Sequence, residues 1–437
     1  MRVVFLNRFF FPDHAPTGVL VSDLAFFLRH HNIDVAVISS RARYGGDGAP
    51  LPKLEIIDGV EIHRVWSMMR RQPGLFRRGL DYGMFLMAGS WCLWRSARRT
   101  DIIVAKTDPP LLSVMAAAIA KVRGARTINW VQDIFPEVAE ALEIGRKPGG
   151  FAFRFLKRLR NWSLKTASMN VVVGTKMAAH LQRLGILSSR TRVIANWSDG
   201  SQITPIPPAK NALRNDWGLQ DSFVVGYAGN LGRAHDVDTL LDAMTVLHKQ
   251  ADASSAQSRR PIVFLFVGGG AQHAKLQREV AHRNLTNVQV RPYQARERLA
   301  EVLGVADVHV VSLNPRLEGL IVPSKFYGIA AAGRPALFIG ALDGEIAQLI
   351  DQTHCGFAVA PGDVEALTSR IFQLASDPKL CLAMGARARA AFERHWDKER
   401  AMLQWREVLK AASDGNLQFT DADSGSRAVA ARNQNDA

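Results

Sequence analysis

Residues 3–28 read Val3-Val4-Phe5-Leu6-Asn7-Arg8-Phe9-Phe10-Phe11-Pro12-Asp13-His14-Ala15-Pro16-Thr17-Gly18-Val19-Leu20-Val21-Ser22-Asp23-Leu24-Ala25-Phe26-Phe27-Leu28. A short apolar run, Val3–Leu6, gives way to a loop, and then Leu20, Leu24, Phe27 and Leu28 recur at helical spacing. Strand, loop and helix follow in that order. The same alternation repeats downstream, with apolar runs at Val35–Ile38, Ile102–Ala105, Thr127–Val131 and Asn170–Val173. Continuous apolar strands separated by amphipathic helices imply a parallel sheet covered on both faces, and hence an α/β fold.

Around Asn196 the pattern breaks. Residues 198–220 carry Pro205, Pro207 and Pro208 and read as a linker. The alternation then restarts at Phe223–Tyr227, Ile262–Val267, Val288–Val290, Val308–Val311, Ala336–Ile339 and Phe357–Val359. The expected organisation is a first domain over 1–197, a linker over 198–220, a second domain over 221–395, a closing helix over 396–411 and a disordered polar tail over 412–437.

The 437 residues are 47% hydrophobic, enough for two cores. The formal net charge of +15 favours an anionic partner. Three cysteines, Cys92, Cys355 and Cys381, form neither a disulfide framework nor a zinc signature, so a reducing, cytoplasmic setting is expected. No long uncharged apolar stretch reads as a membrane span.

Four segments follow strands, where open α/β sheets bind their ligands. The first is the loop Phe9–Gly18. Gly18 lets the backbone approach an anion at a helix N-terminus; a plain connection is the alternative. The second is Trp130-Val131-Gln132-Asp133-Ile134-Phe135-Pro136-Glu137. Asp133 could orient an acceptor hydroxyl or take its proton, or it could cap a helix. The third, Gly226-Tyr227-Ala228-Gly229-Asn230-Leu231-Gly232-Arg233-Ala234-His235, has glycines for a tight turn and Arg233 for phosphate oxygens. It fits neither the Walker A nor the dinucleotide fingerprint. The fourth runs from Glu318 through Val322-Pro323-Ser324-Lys325-Phe326-Tyr327-Gly328 to Ala332-Gly333-Arg334-Pro335. Pro323 is expected at a first helical position. Lys325 then stands at a helix N-terminus, where a cation opposes the dipole unless an anion is bound there. A diphosphate would resolve the conflict. Tyr293, after another strand, could lie against a nucleobase or be an ordinary half-buried tyrosine.

Taken in order, these segments resemble the retaining GT-B glycosyltransferases of family 4, over nearly the whole chain to about Ala411. The closest likeness is to the branch that builds exopolysaccharides of the colanic-acid type. The block Val322–Pro335 carries most of it, with Tyr227–Gly232, Asp133–Glu137 and Phe392-Glu393-Arg394-His395-Trp396 in support. The resemblance implies two Rossmann-like domains facing each other across a cleft that holds the active site, with a C-terminal helix crossing back to the first domain. It implies a nucleoside diphosphate sugar as substrate and retention of anomeric configuration; with Arg233, Lys325 and helix termini available for the phosphates, neither a metal nor a cofactor is expected. Gly18, Ser324 and Lys325 would hold the diphosphate, Tyr293 would lie near the base, Glu318 would touch the donor sugar, and Asp133 would sit beside sugar and acceptor. The sequence departs from the pattern at Gly328, where many relatives carry a second glutamate. It departs again at Asn230 and His235, where they carry an arginine and a lysine; Arg233 is the expected substitute.

The basic charge is uneven. From Ile144 to Ser198 there are eleven Lys or Arg and no Asp or Glu. Arg154, Lys157 and Arg158 alternate with Phe151, Phe153 and Phe155. Tyr82 to Trp94 is apolar and flanked by Arg77, Arg78, Arg95, Arg98 and Arg99. Such stretches suit an anionic membrane surface, or are core helices with solvated basic faces. The expected partners are therefore a sugar nucleotide, a lipid-linked or oligosaccharide acceptor and an anionic membrane, without nucleic acid. The rival readings are an epimerase or phosphorylase on the same fold, and a basic nucleic-acid-binding protein, for which no motif is found.

Overall fold

The computed structural model describes residues 1–44, 49–67, 75–144, 150–253 and 260–415. The chain divides into two compact units. Unit 1 holds Met1–Ala195, Gly319–Ile321 and the chain from Glu399; unit 2 holds Asn196–Glu318 and Val322–Lys398.

Unit 1 is built on one sheet: β1 (Arg2–Leu6), β2 (Asp34–Ser40), β3 (Leu54–Ile57), β4 (Val60–Val65), β5 (Asp101–Lys106), β6 (Arg126–Val131), β7 (Met169–Val172) and β8 (Thr191–Val193). Its order is β3-β4-β2-β1-β5-β6-β7-β8, with every pair parallel except β3–β4. Val3–Leu6 and Ile102–Ala105 are almost wholly buried, which is why these strands show no inside–outside alternation.

Three strands escape the sequence reading. β3 and β4 form a hairpin across Asp58-Gly59, whose φ angles of 47° and 77° suit a two-residue turn. Its edge position leaves it partly exposed, so its apolar signal is diluted. β8 is only three residues long.

Unit 2 carries β9 (Phe223–Asn230), β10 (Ile262–Gly269), β11 (Val288–Arg291), β12 (Val308–Ser312), β13 (Ala336–Ile339) and β14 (Gly356–Val359). The order β11-β10-β9-β12-β13-β14 is parallel throughout. In each unit the chain steps outward in one direction and then returns to the other side of its first strand. The reversal falls between β1 and β5 in unit 1, and between β9 and β12 in unit 2. Ligands of open α/β sheets bind outside the carboxyl ends of the strands at such reversals.

Residues 211–219, inside the expected linker, are built into unit 2. Leu213 and Leu219 are buried with Val224, Leu265 and Val305. Arg214 is buried, donates to the carbonyls of Leu219, Ser222 and Val305, and pairs with Asp307 at 2.9 Å. The prolines mark turns, but the apolar side chains that follow draw the segment into the core.

The last helical block is two helices, Pro378–His395 and Lys398–Asp414. The break has a local cause: Trp396 is buried against Phe326 and Tyr327, while the Asp397 carboxylate accepts the backbone N–H groups of Gly200 and Lys398. In unit 1 the second helix buries Trp405 against Trp130, ring centroids 4.5 Å apart. Of the tail expected over 412–437, residues 416–437 lie outside the described residues. Among the described residues no helix is long and apolar enough to cross a membrane.

Candidate active site

In unit 2 the expected residues converge on the carboxyl ends of β10, β9 and β12. Gly229 at the end of β9 has φ 108°, and Gly268 at the end of β10 has φ 137°. A Cβ at Gly268 would lie 2.4 Å from the Gly229 carbonyl oxygen, so the two strand ends close together only because residue 268 is glycine. Lys325 fits against this surface, its Cε 3.0 Å from where a Gly229 Cβ would stand.

The Lys325 ammonium makes three contacts. It donates to the Tyr227 hydroxyl at 2.8 Å, to the Asn230 carbonyl at 2.7 Å and to His235 Nε2 at 3.2 Å. It also lies 4.7 Å from the centroid of the Tyr227 ring. His235 Nδ1 donates to the Ser312 carbonyl at 2.7 Å, which leaves Nε2 as an acceptor. Burial and the Lys325 charge push the His235 pKa down to about 4, so the imidazole is neutral at neutral pH. Burial also keeps the Tyr227 hydroxyl protonated. All three acceptors are therefore neutral, no carboxylate is among them, and burial pushes the Lys325 pKa down to about 7.

The remaining expected residues of unit 2 follow β9, β11 and β12. Arg233 is exposed and, among the described residues, makes no ion pair. Tyr293 follows β11 and is 61% exposed, its Cε2 3.2 Å from where a Gly269 Cβ would be. Ser324 is exposed and caps the helix Lys325–Ala331 without a side-chain hydrogen bond. Pro323 stands outside that helix rather than opening it. Its carbonyl accepts the Phe326 N–H and the Ser324 carbonyl the Tyr327 N–H, so the chain enters through a tight i→i+3 turn. Glu318 Oε1 accepts the Glu345 N–H at 2.8 Å, which holds its carboxylate at the start of the helix Glu345–Thr353. At Gly328 a Cβ would meet Leu303 and Ser198 at 3.5 and 3.7 Å.

In unit 1 the two expected residues, Gly18 and Asp133, follow β1 and β6, the strands that flank β5 in the sheet. Gly18 is in the first turn of the helix Pro16–His30, with a Cβ position only 3.1 Å from the Phe9 carbonyl, so glycine lets the loop fold over the helix start. Asp133 follows β6, and its N–H donates to Thr107 Oγ1 at 3.3 Å. Its side chain is exposed at its tip but enclosed by protein on its other sides. That enclosure, with the nearby Asp108 carboxylate, pushes its pKa up to about 6 against the pull of Lys106.

Lys106 is the residue the sequence reading missed. It ends β5, is 1% exposed, lies 3.9 Å from the Trp130 ring centroid and donates to the Thr17 carbonyl at 3.4 Å. Burial pushes its pKa down to about 7, opposed by Asp133 and Asp108. A charged residue directly after a continuous apolar strand is the signal that singled out Asp133, and it marks Lys106 equally.

Residues 17–197 match the family model described as a glycosyl transferase 4-like domain, and residues 209–391 match that of glycosyl transferases group 1. The chain is a glycosyltransferase with a 4-like and a group 1 domain. This glycosyltransferase is 26% identical over 93% of its length to the putative colanic acid biosynthesis glycosyl transferase WcaI of Escherichia coli, of which it covers 98%. It is 28% identical over 69% of its length to the probable glycosyltransferase WbjE of Pseudomonas aeruginosa, covering 72% of that protein. The solved Anabaena HepE structure, in complex with UDP-glucose, matches 94% of the glycosyltransferase and 100% of its own chain with a TM-score of 0.66 at 18% identity, a likeness of fold. The two α/β units are thus those of a GT-B enzyme, as the sequence implied.

Proposed function

We propose that this glycosyltransferase moves a sugar from a nucleoside diphosphate sugar, with retention, to a lipid-linked saccharide during exopolysaccharide or surface polysaccharide synthesis. The observation that carries this reading is Lys325. A desolvated ammonium on neutral acceptors, at the reversal of a parallel sheet, is a cation whose counter-charge is to be supplied by a ligand. The donor diphosphate supplies it. As the glycosidic bond breaks, charge grows on the leaving phosphate, and a preorganised cation there stabilises the transition state more than the ground state. The exposed Ser324 hydroxyl and Arg233 guanidinium add donors. Asn230 and His235 keep Lys325 in place. Tyr293 offers an open ring face to the base. Glu318, oriented by the Glu345 N–H, contacts the donor sugar. Asp133 orients the acceptor hydroxyl and takes its proton; with a pKa of about 6 it is ionised at neutral pH yet basic enough to receive it. The UDP-glucose bound by HepE supports a nucleotide-sugar donor. No further cofactor enters this scheme.

Basic helices of unit 1 attach the enzyme to the cytoplasmic face of an anionic membrane in this reading. The helix Phe151–Thr166 exposes Phe151 and Phe155 one turn apart, beside Arg154 and Arg158. The helix Leu75–Ser96 exposes Leu80, Met87, Trp91 and Trp94. Flotation with phosphatidylglycerol vesicles at low salt, lost at high salt, is the expected behaviour.

The functional test is a panel of UDP-, GDP-, ADP- and dTDP-sugars. One donor class should raise the melting temperature and be consumed only when a lipid-linked saccharide fraction is added. Consumption without acceptor would point instead to an epimerase. Absence of any stabilising donor at millimolar concentration would overturn the reading.

A further inference from the structure

Unit 1 has a second concave site, on the flank of its sheet. A cavity of about 700 Å³ lies beside β4 and the helix Leu75–Ser96, within the usual range for small-ligand sites. Arg41, Lys53, Arg95, Trp66 and Trp91 face it, and among the described residues no acidic side chain lines it. Two further basic groups of its wall are already engaged: Arg64 pairs with Glu55 and donates to the Phe11 carbonyl, and His63 bonds Glu61. Arg41, Lys53 and Arg95 are different. Among the described residues none of the three has an acidic partner; Arg41 Nε donates only to the Leu51 carbonyl at 2.8 Å. The glycosyltransfer scheme uses none of them.

The cavity borders an apolar stripe. On a helix of 3.6 residues per turn, Leu80, Met87, Trp91 and Trp94 fall within about 60° of one another, on one face. All four are exposed, Met87 and Trp91 by 69% and 64%. Trp91 belongs to both features: it lines the cavity and lies on the stripe. A soluble anion would satisfy the three cations and leave the stripe in water. An anionic phospholipid satisfies both, with its phosphate among the cations, its acyl chain along the stripe and the tryptophans at the level of the headgroup.

We propose that this cavity binds the headgroup of an anionic phospholipid, as a discrete saturable site and not as part of a diffuse basic surface. The proposal rests on the peripheral-membrane reading and adds to it a place, a stoichiometry and a headgroup preference.

Cys92 makes the site testable. It lines the cavity and is half-buried, whereas Cys355 and Cys381 are buried. Burial and Glu61 raise its pKa, so alkylation by a maleimide is followed at mildly alkaline pH on the full chain. The probe is dihexanoyl phosphatidylglycerol below its micellar concentration, with dihexanoyl phosphatidylcholine and inorganic phosphate as comparators. Phosphatidylglycerol should slow Cys92 alkylation saturably, by about fivefold at a concentration of about four times Kd. The comparators should do little. Lys53→Ser/Arg95→Ser should abolish the protection; both side chains are exposed and make no hydrogen bond among the described residues, so the fold should survive. Trp94→Ser, on the stripe but outside the cavity, should weaken vesicle flotation and leave the protection unchanged. Equal protection by phosphatidylcholine or by inorganic phosphate, or protection that persists in the double variant, would overturn the proposal. Flotation on phosphatidylglycerol vesicles without Cys92 protection would remove the headgroup site and leave the membrane reading standing. Protection without flotation would remove the membrane reading alone.

Discussion

Two lysines sit beside the strand-order reversals of the two sheets, Lys106 in unit 1 and Lys325 in unit 2, and burial pushes the pKa of each down to about 7. Their surroundings differ. Lys106 is wholly enclosed, packed on the Trp130 ring, and feels the carboxylates of Asp133 and Asp108. Lys325 is only partly covered, and a hydroxyl, a carbonyl and a neutral imidazole hold it. The first lysine has its counter-charge within the protein and acts on Asp133. The second has none among the described residues, and in the proposed scheme a substrate supplies it. The same residue type at like places in two like folds thus takes two roles, set by which neighbours carry charge.

The comparison breaks most visibly at Asp133. We expect Asp133→Asn to lower kcat by about 10²- to 10⁴-fold while leaving donor affinity near that of the parent, measured by steady-state kinetics and calorimetry. A similar loss of donor affinity would place Asp133 in the donor site instead. Lys325→Met should do the reverse first, weakening donor binding by roughly 10- to 100-fold, the value of a charge-assisted hydrogen bond of about 1.5–3 kcal/mol. Lys106→Met should leave donor affinity unchanged and move the acid limb of the kcat/KM profile. With the Lys106 charge gone the Asp133 pKa rises above about 6, so the limb shifts to higher pH, by roughly one unit. No shift would mean that Lys106 serves packing alone. The smallest effect is on stability. The folded-state pKa of Lys325 lies below its unfolded value of about 10.4, so protonation opposes folding, fully so below pH of about 7. Lys325→Met should therefore raise the melting temperature of the unliganded enzyme by roughly 2–4 °C at or below that pH, with the gain fading as the pH rises towards 10.

Much of this was legible in the residues. Eleven strands showed as buried apolar runs because a parallel sheet covered on both faces leaves nothing to alternate. The edge hairpin β3–β4 was lost to its partial exposure, although Asp58-Gly59 flagged the turn. The prolines at 205–208 suggested a linker because composition cannot register that Leu213, Arg214 and Leu219 reach a core. Asp133 and Tyr293 were found by their places after strands, and Lys325 by its place at a helix start. What the sequence withheld was partnership. Nothing local says that His235 accepts from Lys325, that Glu318 is held by the Glu345 amide, or that Lys106 underlies Asp133, because each pair joins residues 27 to 90 positions apart or adjoining strands in space.

The claim at the centre is that the charge of Lys325 is reserved for the donor diphosphate. It is tested most directly by calorimetry of nucleoside diphosphate sugar binding near pH 8, in buffers of different ionisation enthalpy. A sugar nucleotide does not itself titrate there, so any proton taken up on binding passes from the buffer to a group of the protein. The free enzyme holds Lys325 largely neutral at that pH, and the diphosphate should protonate it. We expect uptake approaching one proton in the parent and in Lys106→Met, and none in Lys325→Met. Uptake that persists in Lys325→Met, or that vanishes only in Lys106→Met, would contradict the assignment.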